Sequence, residues 1–335
     1  EANGLVPYEI YNIFRAVGPW GKVFKRSTVI DNNMKFKNLK YGEDKLFYSE
    51  LISKSQSASM SPEPVYHVNR YADNISLIKA TDMMEKSQFN LDVLKEIIQM
   101  ELPEYAKEQI LCRILEMDFI SRFLVTKTFL NSNDKDFFYQ QFNEVESVIT
   151  GAGYEMEKLL INDKYKNVYH TYHHNQKNFV AYIEYMIYEA NAYKYIKDHM
   201  VYFKYPESFK NLVELKTKCT AIYNGTRLIN NTFYEVIELY KQPNIAIDAV
   251  KLVKIKDDRI SKKVDFIVEN DCIYIKTDDL KFEDTDFNIS IQYNGFDQVL
   301  VRATYPNFND QSKLKRQNFH LEFISDKKEA VSLNT

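Results

Sequence analysis

The sequence predicts an α+β protein: a multi-helix central domain, then a small antiparallel β meander, with an irregular arm at the N-terminal end. Three observations carry this. Apolar residues recur at helical spacing between cap residues from about Asp73 to Tyr240. Segments rich in Val, Ile, Tyr and Phe follow Pro243. Helices run first and strands after, which argues against a doubly wound βαβ arrangement. The segments divide as 1–64, an extended basic and aromatic arm with a Ser-rich linker; 65–243, the helical domain; and 244–335, the β domain with a polar tail.

In the arm, Val6 to Val17 reads as a short helix with Pro7 in its first turn, broken by Gly18-Pro19-Trp20-Gly21. Lys22, Lys25, Arg26, Lys35, Lys37, Lys40 and Lys45 make it the most basic part of the chain, and Phe24, Phe36, Tyr41, Phe47 and Tyr48 are interleaved. Lys22, Phe24, Lys25 and Arg26 are the candidates for gripping a single-stranded nucleic acid, where stacking and phosphate contacts combine. The competing and favoured reading is an arm packed on the body, because 44 basic residues against 47 acidic ones leave a net charge of -3. Ser53 to Pro64 reads as a linker and Val65 to Val68 as a short strand.

In the central domain, Asn90 is the expected cap of a helix to about Met100, and Pro103 opens the next, to about Leu130. Asn133 or Asp134 caps a helix over Asp136–Thr150, and Gly151-Ala152-Gly153 reads as its C-cap and turn. A long helix is expected from about Asn167 to Tyr202, broken near His173. Others are expected over Glu207–Tyr223, ended by Asn224-Gly225, and from Thr226 to about Tyr240.

Strands are expected at Val250–Ile255, Val264–Glu269, Cys272–Thr277, Phe287–Tyr293, Gln298–Thr304 and Phe319–Ile324. Tight hairpins are expected at Asn270-Asp271 and Asn294-Gly295.

The helix Pro103–Leu130 is apolar on every face, yet Arg113, Glu116, Asp118 and Arg122 are embedded in it. Buried charge must be paired. The spacing suggests Arg113 with Glu116 and Asp118 with Arg122. These residues are read first as interface-register pairs, next as plain partly exposed ion pairs, and last as an acid–base site in a helical pocket. His170 and His174 lie one turn apart and could share a metal, but the favoured reading is a polar helix face. Thr171 stands where a zinc-protease motif needs Glu, and no Glu-x-x-His pair occurs. Tyr182, Tyr185, Tyr188 and Tyr193 belong to a Tyr-dense stretch. They are candidate interface residues, or the product of AT-rich codon usage. Cys112, Cys219 and Cys272 form no CxxC, and Cys112 reads as a buried thiol.

No phosphate-loop, nucleophile-elbow or kinase motif is present. The expected function is therefore non-enzymatic: a virion subunit of collar, tail-connector or baseplate type, joining copies of itself and other structural proteins into a homo-oligomer, with no cofactor. The alternatives are a helical-bundle enzyme using His170/His174 or the Arg113/Glu116/Asp118/Arg122 set, and a single-strand binder using residues 22–48. The expected location is a cytoplasmic assembly or virion, with secretion left open because the chain starts without Met. No apolar run is long enough to span a membrane.

Overall fold

The computed structural model describes residues 2–10, 12–60, 82–190, 194–255, 260–280, 287–295, 297–302, 320–323 and 331–334. The fold is α+β and divides into two compact units, Glu1–Ile187 and Tyr188–Thr335. The expected strand at Val65–Val68 and the residue Tyr193 lie outside the described residues.

The first unit is helical. Pro7–Glu9 and Ile13–Ala16 are two 3-10 turns where one helix was expected, with Pro7 at the first position of its turn. The supposed extended arm then folds into two α-helices, α1 (Arg26–Asp31) and α2 (Glu43–Lys54). Helix α2 buries Lys45, Leu46, Phe47, Tyr48, Leu51 and Ile52, so the alternation of basic and aromatic residues here is one helix's buried face and not an extended arm. Strands β1 (Ala2–Leu5) and β2 (Ala58–Met60) pair antiparallel.

Helix α3 (Met83–Gln99) starts earlier than expected, because Asp82 is its cap and accepts from Glu85 N–H at 2.8 Å. Asn90 sits inside the helix, buried. Next come α4 (Glu104–Arg113), a π-helix (Ile114–Leu124) and α5 (Lys127–Asn131), in place of one long α-helix. Its apolar residues are buried as their all-round pattern requires.

Asp134 caps α6 (Lys135–Gly151) through Phe137 N–H at 3.1 Å. Gly153, at φ +87°, reverses the chain after it, as the Gly-Ala-Gly pattern indicates. Short α7 (Met156–Leu159), α8 (Asp163–His174) and α9 (Gln176–Tyr188) complete the unit. The core of α5, α6 and α9 is aromatic. Phe138 lies 4.7 Å from Phe123 and 5.3 Å from Phe129, centroid to centroid, and Phe129 lies 5.4 Å from Phe179.

Among the described residues, the regular elements of the second unit from Lys194 onward are strands and short 3-10 turns. The helix expected to reach Tyr202 stops at Tyr188, and β3 (Lys194–Lys197) pairs with β4 (Met200–Phe203). The helices expected over Glu207–Tyr223 and Thr226–Tyr240 are instead a 3-10 turn at Glu207–Phe209 and the strands β5 (Cys219–Ile229) and β6 (Thr232–Lys241).

The reason is legible in the packing. Strand β6 is buried on both faces over Glu235–Ile237 and Leu239–Tyr240, so the alternation that marks a strand is missing. One face meets the sandwich core through Ile237 and Leu239. On the other, Tyr240 packs with Val201 and Ile222. Asn224-Gly225 is no helix end. It lies at a break in the β5–β6 register, with Gly225 at φ +85°.

Strands β7 (Ile247–Lys254), β8 (Ser261–Val264), β9 (Ile267–Glu269), β10 (Cys272–Lys276), β11 (Phe287–Tyr293) and β12 (Asp297–Leu300) lie close to the expected segments, and β13 (His320–Phe323) pairs with β14 (Val331–Asn334). Two antiparallel four-stranded sheets result, in the orders β5-β6-β10-β9 and β12-β11-β7-β8. Ala221, Ile237 and Ile273 of the first share one buried cluster with Leu252, Ile289 and Ile291 of the second, so the sheets face each other across a common core.

Both foreseen hairpins are present, with Asn270, Asp271, Asn294 and Gly295 all at positive φ. Asp198-His199 and Asn230-Asn231 make two further turns of this kind.

Replacing Phe138 by Ala removes a fully buried ring from the aromatic core. Urea unfolding of the variant is expected to show a loss of about 3–5 kcal/mol. A loss under 1 kcal/mol would show that the rings do not hold this unit together.

Candidate functional site

The densest buried charge is where α2, α3 and the π-helix meet. In an α-helix, Arg113 would face Glu116 and Met117. The π-helix widens the turn to i→i+5, and Arg113 forms its ion pair with Asp118, five residues on, instead of with Glu116. The Arg122–Asp118 pair forms as expected, at 3.4 Å.

Glu116 turns away. It is fully buried, pairs with Arg15, and accepts the backbone N–H groups of Ile161 and Asn162 at 2.9 and 2.7 Å. It therefore joins the N-terminal turns to the start of α8. Its role is that of a staple.

Asp118 is the centre. Its side chain is 1% exposed, and it takes Arg113 and Lys45 on Oδ2 and Arg122 on Oδ1. Lys45 lies 2.9 Å away and also donates to Asn90 Oδ1 at 2.6 Å. This explains the polar Asn90 inside α3.

Burial raises the Asp118 carboxyl, but Lys45, Arg113 and Arg122 together hold it below its usual value of 3.8. Burial pushes Lys45 below 10.5, and Arg113 adds to this while Asp118 opposes it. Two buried cations thus share one carboxylate, and Arg113 Nε has no hydrogen-bond partner among the described residues.

Above this cluster the first turn of α2 reaches the surface. Gly42 precedes it at φ +90°, and a Cβ there would stand 2.8 Å from Val93 Cγ2 of α3, so only glycine fits. Asp44 is half-buried, and its Oδ1 accepts the Lys45 N–H at 2.8 Å.

Lys22, Tyr41 and Tyr48 all lie within electrostatic range of Asp44. Burial pushes both phenols up; Asp118 and, least, Asp44 add to this at Tyr41 while Arg122 and Arg113 oppose it, and Asp44 adds to it at Tyr48. Burial pushes Lys22 down against the pull of Asp44. The Lys22 ammonium donates to Gly18 O at 2.5 Å and stands 5.4 Å from the Tyr48 ring centroid. Arg122, with its side chain 57% exposed, lies within electrostatic range of Tyr41.

The result is a polar rim of Asp44, Tyr41, Lys22 and Arg122 beside a buried ionic base. Such an arrangement can bind an anion and exchange a proton. Sequence reasoning found Asp118 and Arg122 but missed Asp44, Lys45 and Tyr41. The signal available was Gly42-Glu43-Asp44, a glycine followed by acids in a first helical turn.

The other candidates scatter. His170 and His174 are exposed on α8, and among the described residues no three His, Cys, Asp or Glu side chains are grouped to hold a metal. His173 instead pairs with Glu146 at 3.0 Å. Tyr182 and Tyr185 are buried in the helical unit itself, while Tyr188 is 52% exposed. Phe24, Lys25 and Arg26 are exposed, with Phe24 against Phe47 and Tyr48.

A cleft of about 250 Å³ is lined by Glu108, Cys112, Tyr154, Glu155 and Lys158. Its thiol is pushed up to about 12 by burial, and Tyr154 and Lys158 are taken by Glu104 and Glu155. No membrane-length apolar helix occurs among the described residues.

No protein-family model and no curated protein matches the chain. Among solved structures it is similar to S. aureus TarS, at 17% identity over 99% of this chain and 61% of that one, with a TM-score of 0.43. It is also similar to TarS 1-349 in complex with UDP-GlcNAc, at 17% identity over 65% of this chain and 61% of that one, TM-score 0.44. For TarS 217-571 the identity is 16%, with 75% of each chain covered and a TM-score of 0.29. The chain spans about three fifths of the length of the first two.

The expectation of a non-enzymatic virion subunit is corrected by this finding: these structures are of TarS, one with a nucleotide sugar bound, and not of a phage component. At such identity and TM-scores the likeness carries no chemistry to this chain, which is argued from its own residues.

Asp118→Asn leaves Lys45 and Arg113 buried without an anion and is expected to cost about 3–5 kcal/mol in urea unfolding at pH 7. Because the folded Asp118 value is depressed, its contribution is present above the unfolded carboxyl value and fades as pH falls through the folded one. The difference between wild type and variant should therefore shrink below about pH 4. A difference that is constant with pH would show that Asp118 is not an ion in the fold.

Proposed function

We propose that the helical unit carries the acid–base site of an enzyme acting on an anionic substrate, with Asp44 as the proton acceptor. The observation that supports this is the half-buried Asp44 carboxylate at the head of α2, held by Lys45 N–H and set among Lys22, Tyr41 and Tyr48. A general base needs a fixed position and an open side toward its substrate. Gly42 and the Asp118 cluster supply the first and the exposed rim the second.

Arg122 is held by a long 3.4 Å contact and is free to offer its planar fork to a phosphate or carboxylate. The π-helix that carries Asp118 and Arg122 is a further support, since such segments recur at functional sites. This reading is the enzyme alternative, with the reacting group moved from the buried set to the rim above it.

UDP-GlcNAc, the ligand bound in one TarS structure, is the first donor to test on this chain, scored by binding and by release of UDP. Asp44→Asn is expected to lower turnover by roughly 10²–10⁴-fold with an unchanged melting temperature. Arg122→Ala is expected to weaken binding. Absence of UDP-GlcNAc binding, or equal turnover by wild type and Asp44→Asn, overturns the reading.

A further inference from the structure

The buried cluster holds one cation more than its carboxylate needs. Arg113 alone would balance Asp118, and the guanidinium keeps its proton at every accessible pH. Lys45 is therefore the member able to titrate, and its loss of charge would leave a balanced Arg113–Asp118 pair behind.

The groups that face the Lys45 side chain are Asn90 from α3, Asp118 and Arg113 from the π-helix and α4, and, from its own segment, Asp44 and the Tyr41 ring at 4.9 Å. Burial and Arg113 disfavour the ammonium, and Asp118 favours it. The same residue donates its backbone N–H to Asp44 Oδ1 at 2.8 Å. Its side chain thus anchors the peptide that orients the carboxylate.

We propose that Lys45 is the positioning residue of the rim: tied to Asn90 and Asp118, it holds its own N–H against Asp44, and it loosens that hold when its ammonium gives up its proton. The proposal rests on the reading of Asp44 as proton acceptor, and it gives that site an upper pH limit.

The test is amide NMR of the full chain between pH 6 and 11. In wild type, the Gly42, Glu43 and Asp44 resonances should shift with one shared alkaline midpoint. In Lys45→Arg they should start near the wild-type positions and stay there, because arginine does not titrate in this range. In Lys45→Met they should be displaced already at pH 7 and show no transition. Tyr41→Phe should keep the transition, which removes the nearby phenol as its source.

Where UDP-GlcNAc is turned over, Lys45→Met should lower kcat about a hundredfold with little change in KM, and Lys45→Arg should lose the alkaline fall in rate. A wild-type transition that persists in Lys45→Arg overturns the proposal, whether or not Lys45→Met folds. So does the absence of any transition in wild type. Lack of turnover sinks the enzymatic reading and leaves the NMR result to decide the role of Lys45.

Discussion

The carboxylate of Asp118 is the constraint on which the helical unit is arranged. It draws Lys45 from α2, Arg113 from the end of α4 and Arg122 from the next turn onto one buried point, and Lys45 brings in Asn90 of α3. Ions buried this deeply are seldom chosen for stability alone, since apolar residues of like volume do as well. What the cluster supplies is location. Three segments distant in sequence are brought to one register, and the first turn of α2 is presented to solvent in a single orientation.

That location explains the π-helix. A run of α-turns from Arg113 would bring Glu116 to the same face and leave Asp118 displaced around the axis. The wider turn reverses the assignment. Asp118 meets Lys45 and Arg113, and Glu116 is released to satisfy the N–H groups of Ile161 and Asn162 and to pair with Arg15. Two carboxylates two residues apart thus serve opposite sides of one helix.

Most of the architecture could be read from local pattern. The strands after Ile247 announce themselves by alternation and by Asn-Asp and Asn-Gly turns. Helix α6 does so by its Asp134 cap, whereas α7, α8 and α9 do not follow the single long helix expected after Asn167. One misreading has a clear physical cause. Strand β6 is buried on both faces and loses the alternation that marks a strand, and the Asn230-Asn231 turn before it was read as helix interior. In the site, Asp118 and Arg122 stand out because charge is conspicuous in an apolar helix. Lys45 and Asn90 do not, because their partners lie 73 and 45 residues away along the chain. A lysine in a basic stretch looks solvated until its depth is known.

The tight turns of the strand unit carry a consequence for the denatured chain. Seven of the eight described residues at the four hairpin bends, Asp198, His199, Asn230, Asn231, Asn270, Asp271 and Asn294, hold the left-handed conformation with a side chain, and Gly295 does so without one. Each such residue accepts local strain when folded. In return, the unfolded ensemble explores fewer shapes than a glycine-bent chain would, and less disorder is surrendered when the sheets close.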